Sequence, residues 1–264
     1  MPNPLFPHLS RPALVGMVHL RPLPGSPGWR GSMAEVLEAA RRDAEALLEG
    51  GCDGLLVENM GDLPYLRGAV GPETTAAMAL ATAAVTALGA PTGVQVLAGA
   101  NREALGVALA AGARWLRVEA FAYAHVADEG WMDACAGPLL RARAALGAPV
   151  QIWADVRKKH AAHAVTGDLS LEDVARGTAF CGADALVVTG VATGAPTRRE
   201  DLVEVARAGL PVVVGSGVSP EDAAELGTVA SALVVGSWLK EGGDWRNPVS
   251  VARTAALAAA LGAR

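Results

Sequence analysis

Eight short apolar runs, most of them followed by a segment of helical composition, constrain the fold of this chain more than any other feature. Continuous apolar strands that alternate with helices are typical of parallel sheets covered on both faces. The predicted strands are 13–19, 54–59, 93–97, 115–119, 150–155, 185–189, 211–215 and 232–236. The predicted helices are 33–49, 73–88, 102–111, 132–146, 171–181, 198–208 and 220–226.

The boundaries between these elements are marked by glycine and serine. Several predicted helices end in a glycine just before the next strand, where the backbone adopts the left-handed conformation that glycine accepts. Ser170 and Ser219 precede early acidic residues, as helix N-caps do. We therefore predict one (β/α)8 barrel domain over residues 1–264, with residues 1–12 as an extension that closes the bottom. An open, doubly wound sheet is the alternative, although it would usually have fewer strands.

Composition and charge exclude several classes of protein. A formal net charge of −5 argues against nonspecific nucleic-acid binding, which needs a basic face. The isolated Cys52, Cys135 and Cys181 are predicted to be small buried side chains in a reducing compartment. The N-terminus is broken by prolines, and the apolar stretches 76–90 and 254–262 are shorter than the roughly 20 residues of a membrane-spanning helix. We predict a soluble cytoplasmic protein with neither a membrane span nor a nucleic-acid partner.

The fifth predicted strand ends in a cluster of ionisable groups, which is the predicted centre of the active site. Residues 151–160 read QIWADVRKKH, so a buried strand leads into an aspartate, two lysines and a histidine. Lysine occurs only at 158, 159 and 240, although Lys and Arg together number 22. The compact ammonium group of lysine has a tunable pKa that arginine lacks, which indicates lysine chemistry at this strand end. The alternative is a solvated turn.

Reacting groups in such barrels lie at the carboxyl ends of the strands. Carboxylates, a lysine and a histidine that converge there shift one another's pKa values and provide general acids and bases. In the alternative interpretation, Glu58 and Glu119 belong to a structural ion-pair layer with Arg117 or the lysines. The lysine at 159 either forms a Schiff base or grips a phosphate or carboxylate. The predicted catalytic residues are His19, Glu58, Glu119, Asp155, Lys159 and His160.

A metal site is a further alternative at the same place. His19, Glu58, Asp155 and His160 include ligand types that a divalent cation accepts, but no HxH or HExxH spacing supports the site. No metal or other cofactor is therefore predicted.

The later strands end in small residues, which predict a site for an anion. Gly-Ser-Gly after the seventh strand and Gly-Ser after the eighth allow backbone N–H groups to approach a phosphate closely, with a hydroxyl to help. The loops after strands 7 and 8 are the usual phosphate site of this barrel. The alternative is that these glycines only permit tight turns. The predicted ligand-binding residues are Asn59, Thr189, Thr193, Gly194, Gly215, Ser216, Gly217, Gly236 and Ser237.

Several segments resemble the BtpA family, and the resemblance extends over nearly the whole chain, from about residue 13 to about residue 255. They include GMVHLRPLPGSP, CDGLLVENMGDLPY, ADVRKKHA and VVVGSGVSPED. The resemblance implies a ribulose-phosphate-binding-type barrel. The family is named for a cyanobacterial photosystem I biogenesis protein, and its bacterial relatives are predicted to act on sugar or nucleoside compounds. The chain departs from the family pattern at Gln95, at Ala98 and at Glu119.

These observations lead to a predicted function and two alternatives. The prediction is an enzyme of lyase, isomerase or nucleosidase type that acts on a small phosphorylated sugar or nucleoside compound. One alternative is a non-catalytic assembly factor, which needs an exposed apolar patch such as the loop 20–29 with Trp131 and Trp245. The other is a ligand-binding barrel without turnover. Ala-rich outer helices predict a homo-oligomer.

Overall fold

The computed structural model describes residues 2–190 and 197–262, and eight parallel strands of this part of the chain close into a barrel. The strands pair in chain order, and the last pairs with the first, with Ala232 opposite Ala13. This confirms the predicted (β/α)8 barrel and excludes an open sheet. Each strand begins and ends within two residues of its predicted bounds. The barrel strands are β1 (Ala13–His19), β2 (Gly54–Glu58), β3 (Thr92–Gln95), β4 (Trp115–Val118), β5 (Gln151–Asp155), β6 (Ala185–Val188), β7 (Val212–Val214) and β8 (Ala232–Val235).

Helices alternate with these strands, and the first and last of them pack against each other. The helix that begins at Leu171 has a capping box, in which the side chains of Ser170 and Asp173 each accept the other's backbone N–H. The last helix was not predicted, because residues 254–262 are recognisable in the sequence only as an apolar stretch. The α-helices of the described residues are α1 (Met33–Glu49), α2 (Pro72–Thr86), α3 (Asn101–Ala111), α4 (Ala136–Ala145), α5 (Leu171–Phe180), α6 (Arg199–Ala206), α7 (Pro220–Leu226) and α8 (Val251–Ala260).

Aromatic side chains fill the amino end of the barrel. The indole rings of Trp115 and Trp153 stack with their centroids 4.5 Å apart. Phe6, in the N-terminal extension, packs edge-on against both rings from below and is 2% exposed. On β3, a Cβ atom at Gly93 would collide with the ring of Trp115, so a glycine leaves the room that this indole needs. Because the amino end is filled, a ligand has access to the barrel only from the carboxyl end.

A small antiparallel sheet that was not predicted lies at the carboxyl end of the barrel. Its strands are His125–Ala127, Gly130–Met132 and Ala161–Ala162. The first two form a hairpin in the loop after β4, and the third belongs to the loop after β5. The predicted helix 132–146 therefore begins later, at Ala136, because the chain up to Met132 is extended. The sheet joins two loops that border the barrel mouth.

Two further expectations concern the cysteines and a membrane-spanning helix. Cys52 is buried as predicted, whereas Cys135 and Cys181 are half-buried, and all three carry free thiols. No helix within residues 2–190 and 197–262 is long and apolar enough to cross a membrane.

Candidate active site

The first five barrel strands each end in a polar side chain that lies inside the barrel, one layer above the aromatic floor. Side chains alternate between the two faces of a strand, so the inward residues follow Met17, Leu56 and Trp115 at intervals of two. All members of the layer except His19 are at most 6% exposed, and the imidazole of His19 is itself 6% exposed. The layer consists of His19, Glu58, Gln95, Arg117 and Asp155.

Arg117 crosses the barrel and ties β4 to β5 and β7. Its Nε donates to Asp155 Oδ1 at 3.1 Å, and its Nη1 donates to the carbonyl oxygen of Gly215 at 3.2 Å. A Cβ atom at Gly215 would lie 2.6 Å from Val187 and 3.1 Å from Arg117 Nη2. Glycine at that position therefore lets the guanidinium reach the loop after β7. The structural alternative expected Arg117 or a lysine to hold Glu58 and Glu119; Arg117 instead pairs with Asp155, whereas Glu119 lies 3.7 Å from Lys158.

The two adjacent lysines have opposite environments. Lys158 Nζ donates to Glu129 Oε2 at 2.6 Å and also lies 3.7 Å from Glu119 and 3.8 Å from Asp128. Lys159 faces the barrel mouth, and no hydrogen bond or ion pair holds its ammonium group in the described structure. Burial, and then the charge of Arg117, lower the pKa of Lys159. Lys158 is thus a structural anchor, and Lys159 is available to a ligand.

The third lysine is structural. Lys240 is 1% exposed, and its Nζ donates to Asp43 Oδ2 at 2.6 Å. The other carboxylate oxygen of Asp43 accepts the backbone N–H of Val249 at 3.1 Å. This pair fastens the segment after β8 to α1.

The side chain of Glu119 is an unusually weak acid for a glutamate. Burial raises the pKa of Glu119 to about 7, although the neighbouring charge of Lys158 opposes the rise. Its Oε2 is buried without a hydrogen-bond partner in the described residues. A carboxyl group with this pKa exchanges a proton readily near neutral pH, as a general acid or base must.

His19 and Glu58 meet at the ends of β1 and β2. Burial, followed by the charge of Lys240, lowers the pKa of His19 to about 3, so its imidazole is neutral. Its Nε2 lies 3.7 Å from Glu58 Oε2, and with a neutral imidazole this contact is not an ion pair. Burial also raises the pKa of Glu58. Burial therefore favours the uncharged form of each group.

A cavity of about 380 Å³ connects this polar layer with the glycine loops. Ser216 lines it, and the Oγ atom of this residue is buried without a hydrogen-bond partner in the described chain. Gly236 is needed for close packing, because a Cβ there would lie 2.8 Å from Cε1 of His19. The carboxylate of Asp222 also borders the cavity, and it accepts a hydrogen bond from the hydroxyl of Ser219 at 2.8 Å. The cavity's lining further includes Lys159, Arg117, Gly215, Gly217 and Ser237.

A second lobe of about 190 Å³ adjoins the first. The two lobes share Glu58, Arg117 and Lys159. The second also contains the acid Glu119 and is bordered by Trp245, whose ring packs edge-on against His19 with centroids 6.1 Å apart. Lys159 therefore lies where the two lobes meet.

Not every predicted site residue lies in this cleft. The amide of Asn59 is used internally, since its Oδ1 accepts Leu97 N–H at 2.7 Å and its Nδ2 donates to Asp62 at 2.9 Å. Thr189 faces a different cavity, and its hydroxyl donates to the carbonyl of Arg157 at 3.3 Å. Neither residue lines the barrel-mouth cleft, contrary to the ligand-binding role expected of them.

The remaining predicted residues lie at the edge of the cleft or beyond the described chain. His160 is exposed and borders the second lobe. Thr193 and Gly194 fall outside the described residues. Within residues 2–190 and 197–262, no three His, Cys, Asp or Glu side chains are arranged to hold a metal ion. The four residues of the alternative metal site are therefore not grouped as ligands.

Gln95, Arg117 and Glu129 are among the cleft residues that were not predicted as site residues. Gln95 and Arg117 were detectable, because each lies on the inward phase of its strand. The signal for Glu129 was the Asp-Glu-Gly sequence at 128–130, which marks a turn between two extended segments.

Sequence comparisons give strong similarity over most of the chain. The BtpA family profile matches residues 10–262. A mitochondrial protein of Caenorhabditis elegans is 42% identical over 252 residues, which cover 92% of this chain and 91% of the relative. The photosystem I biogenesis protein BtpA of Synechocystis is 35% identical over 254 residues, or 94% of this chain and 87% of the relative.

Solved structures of low sequence identity share the fold. Thiamine phosphate pyrophosphorylase from Pyrococcus furiosus superposes with a TM-score of 0.58 at 16% identity, covering 95% of each chain. Phosphoribosyl anthranilate isomerase from Thermus thermophilus gives a TM-score of 0.58 at 18% identity, covering 95% of this chain and 98% of that one. At this identity the superpositions establish the barrel alone.

Proposed function

The chain belongs to the BtpA family, and from that premise we propose that it is an enzyme acting on a small phosphorylated sugar or nucleoside compound. The observation that carries the proposal is the buried hydroxyl of Ser216, which has no hydrogen-bond partner in the described chain and lines the cavity that Lys159 also borders. A buried polar group without a partner costs free energy unless a ligand satisfies it. A phosphate held by the loops after β7 and β8 would satisfy this hydroxyl.

The other end of the cleft supplies groups for catalysis. Glu119, with a pKa of about 7, exchanges protons at neutral pH, and the neutral imidazole of His19 and the carboxyl group of Glu58 line the adjoining lobe with the glycine loops. Lyase, isomerase and nucleosidase reactions all need proton transfer beside a bound anion. Proteins of the same fold that are named for phosphorylated compounds, such as phosphoribosyl anthranilate isomerase, support a phosphate site without identifying the substrate here.

We expect phosphorylated ligands to raise the melting temperature, and Ser216→Ala to remove most of that rise. Loss of one hydrogen bond to a charged group weakens binding by about ten- to a hundredfold. Thermal shift with inorganic phosphate, ribose 5-phosphate and ribose, each at millimolar concentration, measures the effect. Without ligand, the variant should be as stable as the wild type, because it removes an unsatisfied hydroxyl.

The matched control is Ser10→Ala, an exposed serine before β1 at the opposite end of the barrel. This variant should keep the full response to phosphate. The proposal fails if no anion stabilises the wild type, or if both alanine variants respond equally.

The leucines of the apolar patch that the alternative of an assembly factor requires are buried. In the loop 20–29, Leu20 is 2% exposed and Leu23 is fully buried, so their side chains are not available to a partner. Trp131 remains 44% exposed. A cytoplasmic location and a homo-oligomer remain predictions, and the Caenorhabditis elegans relative is described as mitochondrial.

A further inference from the structure

We propose that Lys159 forms an imine with the carbonyl carbon of a phosphorylated aldehyde or ketone bound in the cleft. This inference rests on the proposed function, since the phosphate must lie at Ser216 for the carbonyl to reach the lysine. It narrows the substrate class from phosphorylated compounds in general to those with a carbonyl group.

The first support is the contrast between the two adjacent lysines. The carboxylate of Glu129 lies 2.6 Å from the ammonium of Lys158 and that of Asp128 lies 3.8 Å away, which keeps that amine protonated. Lys159 forms no ion pair within the described chain and faces a cavity. An amine must be uncharged to act as a nucleophile, and an ion pair would oppose this.

The second support is the position of Lys159 beside a fixed cation. Arg117 lines both lobes together with Lys159, and its guanidinium is held by Asp155 and by the carbonyl of Gly215. A neighbouring cation and burial both favour the neutral amine, which agrees with the lowered pKa of Lys159. Arg117 thus favours the uncharged, nucleophilic form of Lys159.

The reaction needs a proton donor, and the second lobe provides one. The Nζ lone pair of Lys159 attacks the carbonyl carbon, the C=O π electrons move to oxygen, and a proton passes from nitrogen to oxygen to give a carbinolamine. Glu119 then protonates the hydroxyl group, which leaves as water while the nitrogen lone pair forms the C=N bond. The product is a protonated imine and a glutamate carboxylate. Glu119 lines the same lobe as Lys159, and its Oε2 has no hydrogen-bond partner in the described chain.

The cleft's two lobes fit a ligand with two functional groups. The glycine loops and Ser216 border only the larger lobe, and Glu119 borders only the smaller one. Lys159 borders both. A compound whose phosphate occupies the first lobe therefore presents its carbonyl group to the lysine at the junction.

Borohydride trapping tests the imine directly. The wild-type protein is incubated with dihydroxyacetone phosphate and reduced with sodium borohydride, and intact mass and peptide mapping are then measured. The expected product is a single adduct on Lys159 with the mass of the ligand less one oxygen atom. Because lysine occurs at only three positions, Lys158, Lys240 and the N-terminal amine serve as internal controls.

The matched controls separate chemistry from binding. Lys159→Arg keeps a long basic side chain but removes the nucleophilic amine, so it should keep the thermal shift with inorganic phosphate and lose the adduct. Dihydroxyacetone without phosphate should give at least tenfold less adduct, and added inorganic phosphate should suppress trapping.

Two results overturn the imine. One is equal labelling of Lys158, Lys240 or the N-terminus, and the other is a wild-type protein that phosphate stabilises but that neither dihydroxyacetone phosphate nor glyceraldehyde 3-phosphate labels. In the second case the proposed phosphate site is supported, whereas the proposal that the substrate contains a carbonyl group is rejected. Absence of both stabilisation and labelling defeats the proposed function itself.

Discussion

Replacement of Arg117 by methionine is expected to lower the free energy of unfolding by about 3–5 kcal/mol, the usual cost of breaking a buried ion pair from one side. The guanidinium is 3% exposed and pairs with Asp155 inside the barrel. Without it, the carboxylate of Asp155 stays buried without a cation, and the Gly215 carbonyl loses a donor. Methionine fills a similar volume, so the loss reflects charge more than a cavity. Urea unfolding at pH 7 with an unchanged m-value measures it.

A matched exposed pair provides the control. Arg176 pairs with Glu172 one helical turn away on α5, and its side chain is 58% exposed. Arg176→Ala should change stability by less than about 1 kcal/mol. The double variant Arg117→Met/Asp155→Leu should recover much of the loss, because it removes both charges together. If Arg117→Met costs as little as the surface variant, or if the double variant is no better, Arg117 does not neutralise Asp155.

The barrel was predictable because its signals are local. Each strand is a continuous apolar run, and glycine marks most of the helix ends, so element order could be read from the sequence without any long-range contact. The number of strands, eight, also predicts that the sheet closes into a barrel. The last helix, α8, escaped prediction because an Ala-rich segment after the last strand has no following strand to mark it as a connection.

The residues of the site were predictable by strand phase, but their roles were not. Alternation along β2 and β5 places Glu58 and Asp155 inside the barrel in any parallel register. The difference between Lys158 and Lys159 depends on a hairpin that carries Glu129 across the barrel mouth, a contact between residues 29 positions apart. Asn59 lies one residue beyond β2 and turns to Leu97, a contact that strand phase does not predict. These contacts depend on the paths of loops, which the local sequence does not specify.

Substitution of Glu119 by glutamine is expected to stabilise the protein at pH 8 by about 3 kcal/mol and to have little effect near pH 4.5. The folded-state pKa of Glu119 is raised from 4.5 to about 7 by burial. Between these values the unfolded chain releases the proton while the folded chain retains it. The free energy of unfolding of the wild type therefore falls as pH rises, until about pH 7. Glutamine has no proton to release, so the variant escapes this loss.

The comparison must use the difference between variant and wild type, because His19 acts in the opposite direction. Its pKa is lowered from 6.5 to about 3, so the unfolded chain binds a proton that the folded chain does not, and stability rises with pH across that range. The two effects overlap between pH 4.5 and 6.5 and partly cancel in the wild type alone. Both proteins retain His19, so subtraction isolates Glu119. A difference that stays constant from pH 5 to pH 8, measured by urea unfolding, would show that Glu119 is already ionised at low pH and cannot serve as the proton donor to an imine at Lys159.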